Sequence, residues 1–154
     1  MYIIEDTGQK AGQHEIKNNG FQSMGITVIR NKLPFGDYAL PPKIAIDTKR
    51  DMEEIAGNIC GPKAEHQRFK RECVKARDAG CKLVFLIENN DGISNINEVH
   101  TWINPRCIFS PNCVQGDRLE KAMKTMSERY GCEFLFCKPE DAAETIQKIL
   151  TRGD

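Results

Sequence analysis

The chain has 154 residues, of which 40% are hydrophobic and 29% charged, a size and composition typical of one globular domain rather than a disordered chain. Its 22 basic and 22 acidic residues cancel, so net charge alone does not indicate a nucleic-acid partner. No apolar run exceeds about seven residues, which excludes a membrane-spanning helix. The N-terminus also lacks the pattern of a signal peptide. We therefore expect a single-domain cytoplasmic protein without membrane contact.

The seven cysteines are an odd number and form no C-x-x-C pair. In a cytosolic protein we expect them to be reduced, with the thiols inside apolar runs buried. An alternative is a zinc-stabilised interaction module built from four of them. Those four are Cys107, Cys113, Cys132 and Cys137. Their spacing is wide for a zinc site, which makes reduced thiols the preferred interpretation.

Hydrophobic periodicity predicts strands and helices that alternate along the chain. The predicted strands are residues 2–5, 26–29, 37–40, 44–48, 83–87 and 133–136. The predicted helices are residues 13–24, 51–60, 64–79, 119–130 and 142–150. Asp51 is the expected N-cap of the second helix, and Pro41-Pro42 the irregular turn between the third and fourth strands. Trp102 is expected in the core. The pattern predicts an α/β domain with a central mixed β-sheet flanked by helices.

The third and fourth strands bring three charged residues together. Asp47 and Lys49 are two positions apart, so their side chains point to the same side of a strand. Asp37, at the start of the neighbouring strand, can reach the same edge. Two carboxylates suit a hard divalent cation, and an ammonium beside them can orient a water or offset charge on a phosphate. The alternative is a set of solvated charges on the exposed face of a sheet.

Several short segments together resemble the XPF-type nuclease domain of the PD-(D/E)xK superfamily, which includes the XPF, Hef and Mus-like structure-selective endonucleases. They are "EDTGQ" at 5–9, "GDY" at 36–38, "DTK" at 47–49 with Glu53, "RFKRECVKA" at 68–76 and "KLVFLIE" at 82–88. The resemblance implies a single restriction-endonuclease-like domain over residues 1–154. Its family-like core covers about residues 2–89, and residues 90–154 complete the fold.

The resemblance also implies roles for individual residues. Asp37 and Asp47 would be metal-binding carboxylates, Thr48 would offer a carbonyl oxygen to the metal, and Lys49 would be the catalytic lysine. Asp6 would be an accessory catalytic acid. The implied cofactor is Mg²⁺, with Mn²⁺ able to substitute.

On the helix that borders the site, Arg68 and Glu72 would face the DNA. Their spacing is also that of a solvated i,i+4 ion pair, which is the alternative. Between Lys63 and Lys82 there are seven basic residues against three acids. We therefore expect DNA to lie across residues 63–77, with Lys63, Arg71 and Lys75 as further contacts.

The chain departs from the family pattern at four positions. Asp47 replaces the usual glutamate and Thr48 an arginine, while Gly8 and Gln9 replace an arginine and a glutamate. The expected function is a divalent-metal-dependent DNA endonuclease that cuts branched or flapped DNA in repair, recombination or phage replication. It would act as a homodimer, through the segment after Asn89, or with a partner protein. The alternative is a catalytically weak XPF-like domain that binds DNA or docks another nuclease.

Overall fold

A computed structural model describes residues 2–40 and 44–152, in which six strands form one sheet. The strands are β1 (Tyr2–Asp6), β2 (Thr27–Asn31), β3 (Tyr38–Leu40), β4 (Ile44–Lys49), β5 (Lys82–Glu88) and β6 (Glu133–Cys137). Their order across the sheet is β2-β1-β3-β4-β5-β6. β3 is antiparallel to both of its neighbours, and the other neighbouring pairs are parallel. The predicted α/β fold with a mixed sheet is confirmed.

Five α-helices cover the two faces of this sheet. They are α1 (Glu15–Ser23), α2 (Met52–Cys60), α3 (Lys63–Asp78), α4 (Gly116–Tyr130) and α5 (Ala142–Leu150). The predicted cap of α2 is confirmed, because the Asp51 side chain accepts a hydrogen bond from Glu54 N at 2.8 Å. The turn predicted at Pro41-Pro42 lies outside the described residues. None of the helices in residues 2–40 and 44–152 has the length and apolar content needed to cross a bilayer.

The sheet is buried on both faces, with a separate core on each. On one face, Phe69, Phe85 and Phe134 stack, with ring centroids 4.3 Å apart for Phe69–Phe85 and 5.4 Å for Phe85–Phe134. On the other face, α1 and α5 pack against the strands. Successive residues of β5 point to opposite cores, which is why its sequence is a continuous apolar run. Trp102 is buried in the first core, which confirms its expected place.

The topology brings several polar residues to one edge of the sheet. β1, β4 and β5 run in the same direction, so their carboxyl ends meet at that edge. The register pairs Lys49 with Ile87, so β4 and β5 end at nearly the same level. β3 runs the opposite way, which places Asp37, just before its first residue, at this edge too. The site predicted from the sequence therefore lies at the edge where β1, β4 and β5 end and β3 begins.

The cysteine prediction is wrong for one pair. Cys107 and Cys113 form a disulfide, with their Cα atoms 5.2 Å apart, while the other five cysteines are free. Since these two sulfurs are bonded to each other, they are not available as zinc ligands, and the zinc-module alternative is wrong as well. The thiols of Cys81 and Cys137, in or beside apolar runs, are only half-buried, whereas those of Cys73 and Cys132 are buried. The pairing escaped sequence analysis because residues 89–115 form two short 3-10 helices and loops, whose pattern does not predict distances.

Candidate active site

A polar cleft of about 640 Å³ opens at the edge where β1, β4 and β5 end. Seven of the ten predicted site residues line it. They are Asp6, Asp37, Asp47, Thr48, Lys49, Arg68 and Glu72. The other three, Lys63, Arg71 and Lys75, are exposed residues of α3 outside the cleft. The structure thus brings together the predicted catalytic and metal-binding residues.

Asp37 is held in place by donors on three sides. Its Oδ2 accepts hydrogen bonds from Thr48 N at 2.6 Å and from Thr48 Oγ1 at 2.7 Å, and its Oδ1 accepts one from Gln9 Nε2. The preceding residue must be glycine, because Gly36 has φ +75° and a Cβ there would lie 3.0 Å from Ile46 O. Thr48 and Gln9 are two of the departures from the family motif. Both departures therefore supply donors to the same carboxylate.

Asp47 and Lys49 form a buried ion pair, with 2.8 Å between Lys49 Nζ and Asp47 Oδ1. The alternation of β4 predicted that these side chains share one side. Lys49 Nζ also lies 5.9 Å from the centroid of the Phe69 ring and 5.8 Å from that of Phe85. Burial alone would lower the pKa of Lys49, but the Asp47 carboxylate, with the negative charges of Glu54 and Asp37, raises that pKa above its usual value overall. The lysine is therefore a fixed ammonium group in the cleft.

Glu72 lines the cleft together with Asp47 and Arg68. Burial, and then the negative charge of Asp47, raise the pKa of Glu72 above its usual value. Arg68 instead pairs with Glu65, with Arg68 Nη2 3.0 Å from Glu65 Oε2. The ion pair that Arg68 forms is therefore a partly exposed i,i+3 pair with Glu65. Sequence spacing alone could not choose between the i,i+3 and i,i+4 partners.

Asp6 lies in the cleft wall with its carboxylate already engaged. Its Oδ1 accepts a hydrogen bond from Leu33 N at 2.8 Å, and its Oδ2 accepts one from Gly8 N at 3.0 Å. Lys32 Nζ lies 3.4 Å from the same Oδ2. These bonds tie the loop after β1 to the segment before β3. Glu53, the last acid of the resembled motif, lies outside the cleft and pairs with Arg106 at 3.1 Å.

The donor set fits a magnesium ion. Burial, and then the nearby negative charge of Asp47, raise the pKa of Asp37 to about 7, so a cation between the two carboxylates would relieve their repulsion. In the part of the chain that the structure describes, no three His, Cys, Asp or Glu side chains form a group able to hold a metal. Mg²⁺ takes one or two carboxylates and keeps several waters, whereas structural zinc sites use four protein ligands. The two carboxylates of this cleft thus match the number that Mg²⁺ takes.

Sequence analysis missed a further group of residues that line the cleft. Lys17 Nζ lies 2.8 Å from Glu88 Oε2, and His14 Nδ1 lies 3.0 Å from Tyr38 OH. Burial, and then the positive charge of Lys17, lower the pKa of His14 to about 4. Glu88 was visible in the sequence as an acid ending a buried strand. Lys17, on α1, and His14, its N-cap, fall within a predicted helix, but the pattern of that helix does not show that they face the cleft.

Comparison with known proteins identifies related sequences and folds. The family model of the ERCC4 domain matches residues 6–149. The structure of XPF from Aeropyrum pernix superposes with a TM-score of 0.67 at 15% identity, covering 97% of this chain and 60% of that one. Its complex with DNA gives a TM-score of 0.69 at 17% identity, covering 97% and 62%. The chain therefore spans about three fifths of the solved chains, and these identities show the shared fold. No curated protein matches the sequence.

Proposed function

The chain belongs to the ERCC4 domain family, a family of DNA nuclease domains, and on that premise we propose that it is a divalent-metal-dependent DNA endonuclease. The observation that carries the proposal is the meeting of Asp37, Asp47 and Lys49 in one cleft, with both carboxylates buried. A solvated trio on a sheet face would be exposed. Hydrolysis of a phosphodiester bond is the reaction that two carboxylates and an ammonium group in this arrangement suit.

Asp37, Asp47 and the Thr48 carbonyl are the proposed ligands of Mg²⁺, with Mn²⁺ as a substitute. The ion, when bound, would make a water more acidic and stabilise negative charge on the phosphate. Lys49 supplies an ammonium group that orients the attacking water or offsets charge on the phosphate. Thr48 and Gln9 keep the Asp37 carboxylate oriented through their hydrogen bonds. Asp6 serves as an accessory acid that fixes the cleft wall.

The charge of the cleft supports a need for a cation. Six carboxylates and five Lys or Arg side chains line it, so without a cation the cleft repels a DNA phosphate weakly. A bound divalent ion would change the net charge of the cleft from negative to positive. Arg68 lies at the rim with 58% of its side chain exposed, where it is available to a phosphate of the DNA backbone.

We further propose branched or flapped DNA as the substrate, in repair, recombination or phage replication. The related structure described as a complex with DNA supports a DNA partner. One small domain has limited surface for two duplex arms, so we propose that it acts as a homodimer or with a partner protein.

Cleavage assays with charge-removing variants test the proposed function. Asp37→Asn and Asp47→Asn keep size but remove a charge that the ion requires, so cleavage of flap, fork or four-way DNA in Mg²⁺ should fall at least about a hundredfold. DNA binding should persist or tighten, because a negative charge facing the phosphates is removed. Lys49→Met should stop cleavage while Mg²⁺ still raises the melting temperature. Asp78→Asn, which removes an exposed acid on α3, is the matched control.

The second candidate is a catalytically weak DNA-binding or scaffold domain that docks another nuclease. Gln9 favours it, because a neutral amide stands where the resembled motif has an acid. If Asp47→Asn cuts at the parental rate, or the parental protein does not cut in Mg²⁺ or Mn²⁺, the scaffold function replaces the nuclease function. Chelation of the metal should abolish cleavage if the nuclease proposal is correct.

A further inference from the structure

A second ammonium group lies in the same cleft as the Asp37, Asp47 and Lys49 trio. Lys17, on α1, forms an ion pair of 2.8 Å with Glu88, the last residue of β5, and the two side chains are 13% and 9% exposed. Both residues line the same cleft as the trio. The proposed hydrolysis uses neither of them. A buried pair of charges in a polar cleft therefore needs its own explanation.

The fold places this pair beside the proposed reaction centre. β4 and β5 are parallel neighbours, and Lys49 is paired with Ile87, the residue before Glu88. Glu88 therefore ends β5 one position beyond the level of Lys49. α1 packs on one face of the sheet, and Lys17, in its first turn, forms the ion pair with Glu88. Gln13 and His14, just before α1, line the cleft on the same side.

Packing alone does not explain why the ion pair of Lys17 and Glu88 is buried here. Burying two opposite charges has a desolvation cost that their attraction often fails to recover, and apolar residues of similar volume are commonly as stable or more so. The other cleft cations differ in exposure. Lys32, Arg50 and Arg68 have 72%, 79% and 58% of their side chains exposed. Among the cations lining the cleft, only Lys17 and Lys49 are held buried by an acid, and so are fixed before any ligand arrives.

We propose that Lys17 binds a phosphate of the DNA backbone next to the phosphate that is cleaved, and that Glu88 holds its ammonium group in position before DNA arrives. The inference rests on the proposed nuclease function. The cleft already provides one fixed ammonium, Lys49, at the two carboxylates. A second fixed ammonium in the same cleft would contact the adjoining part of the same DNA strand. Lys17 is thus a substrate-binding residue, and Glu88 a positioning residue.

Salt-dependent DNA binding in a chelator tests the inference separately from chemistry. Lys17→Met keeps the length of the side chain but removes its charge. The dissociation constant should rise about tenfold, and the slope of log affinity against log salt should fall by about 0.9, the value for one lost phosphate contact. In Mg²⁺, KM should rise while kcat stays within about threefold. Lys17→Arg keeps the positive charge and should therefore show the parental slope. Lys10→Met removes an exposed cation of the same segment that does not line the cleft, and should leave the slope unchanged.

Two further variants separate binding from a purely structural role. Glu88→Gln leaves the Lys17 charge in place, so the slope should equal the parental one even where the melting temperature falls. The double variant Lys17→Met/Glu88→Met replaces the ion pair by an apolar pair. It should fold with comparable stability and still show the reduced slope. If Lys17→Met and the double variant Lys17→Met/Glu88→Met keep the parental slope while the parental protein binds and cuts DNA, the phosphate site is overturned and the nuclease proposal stands. A parental protein that neither binds nor cuts DNA overturns both.

Discussion

Asp37 shows how opposing forces act on one carboxyl group. Burial and the charge of Asp47 raise its pKa, while the two hydrogen bonds from Thr48 act in the opposite direction. The threonine stands where the resembled motif has an arginine, so its hydroxyl is a donor particular to this chain. The orientation and charge of the proposed metal ligand therefore depend on a neighbour that the motif does not contain.

Thr48→Val tests this dependence, because valine keeps the shape and the backbone N–H but removes the hydroxyl donor. A hydrogen bond to a charged group contributes about 1.5 kcal/mol or more, which corresponds to a factor of about ten. The Mg²⁺ concentration for half-maximal cleavage should therefore rise about tenfold. Thr27→Val, on an exposed position of β2, is the matched control. An unchanged Mg²⁺ requirement would show that the hydroxyl does not support Asp37.

The residues of the site differ in how far the sequence predicts them. Asp47 and Lys49 follow from strand alternation, and Asp37 from its place at the start of the neighbouring strand. The Gln9 contact to Asp37 and the Lys17 contact to Glu88 do not follow from any pattern. Both depend on the path of residues 7–14, a loop whose conformation is determined by tertiary contacts such as those of Asp6 with Gly8 and Leu33.

At the scale of elements, α3 presents three different faces. Phe69, Cys73 and Ala76 are buried, Arg68 and Glu72 line the cleft, and several basic residues remain exposed. The exposed basic residues include Lys63, Arg71 and Lys75. A helix with one face in the core and another in the cleft is well placed to guide a DNA backbone towards the reaction centre.

Replacing Lys63, Arg71 and Lys75 by glutamine should weaken DNA binding on all sequences alike. If each contacts a phosphate, the salt slope should fall by up to about 2.7, at about 0.9 per contact. Filter binding or fluorescence anisotropy at several salt concentrations measures the slope. The control triple Lys121→Gln, Arg129→Gln and Lys148→Gln removes the same charge from α4 and α5. If the two triple variants lose the same amount of salt slope, the effect comes from net charge rather than from a DNA-binding face on α3.

The regular elements were predictable and the irregular ones were not. Apolar spacing placed α2 and α5 within a residue of their observed bounds, because each buries one continuous face. The 3-10 helices at Ile96–Thr101 and Pro105–Ile108 are too short for any periodicity to appear. The Arg106 contact to Glu53 links this irregular segment to α2, and only the tertiary structure shows it.

At the scale of the whole molecule, a homodimer is the expected assembly. The segment after Asn89 presents Ile103, Ile108 and Phe109 with 83%, 80% and 90% exposure. Apolar side chains exposed together indicate a contact surface. Light scattering should give about twice the 17.4 kDa chain mass. Ile108→Ser/Phe109→Ser should shift the mass to one chain, whereas Ile16→Ser, at an exposed site on α1, should not. A monomer with full cleavage activity would contradict the homodimer.

The bond between Cys107 and Cys113 gives that surface a dependence on the surrounding redox potential. Glutathione and thioredoxin keep most thiols reduced inside cells, whereas oxidising compartments preserve disulfides. With the bond intact, Ile108 and Phe109 project from a closed loop. After reduction the same side chains lie on an open segment with greater conformational freedom. A sample handled with dithiothreitol and one handled without it therefore offer two different surfaces to a second chain, although their amino-acid sequences are identical.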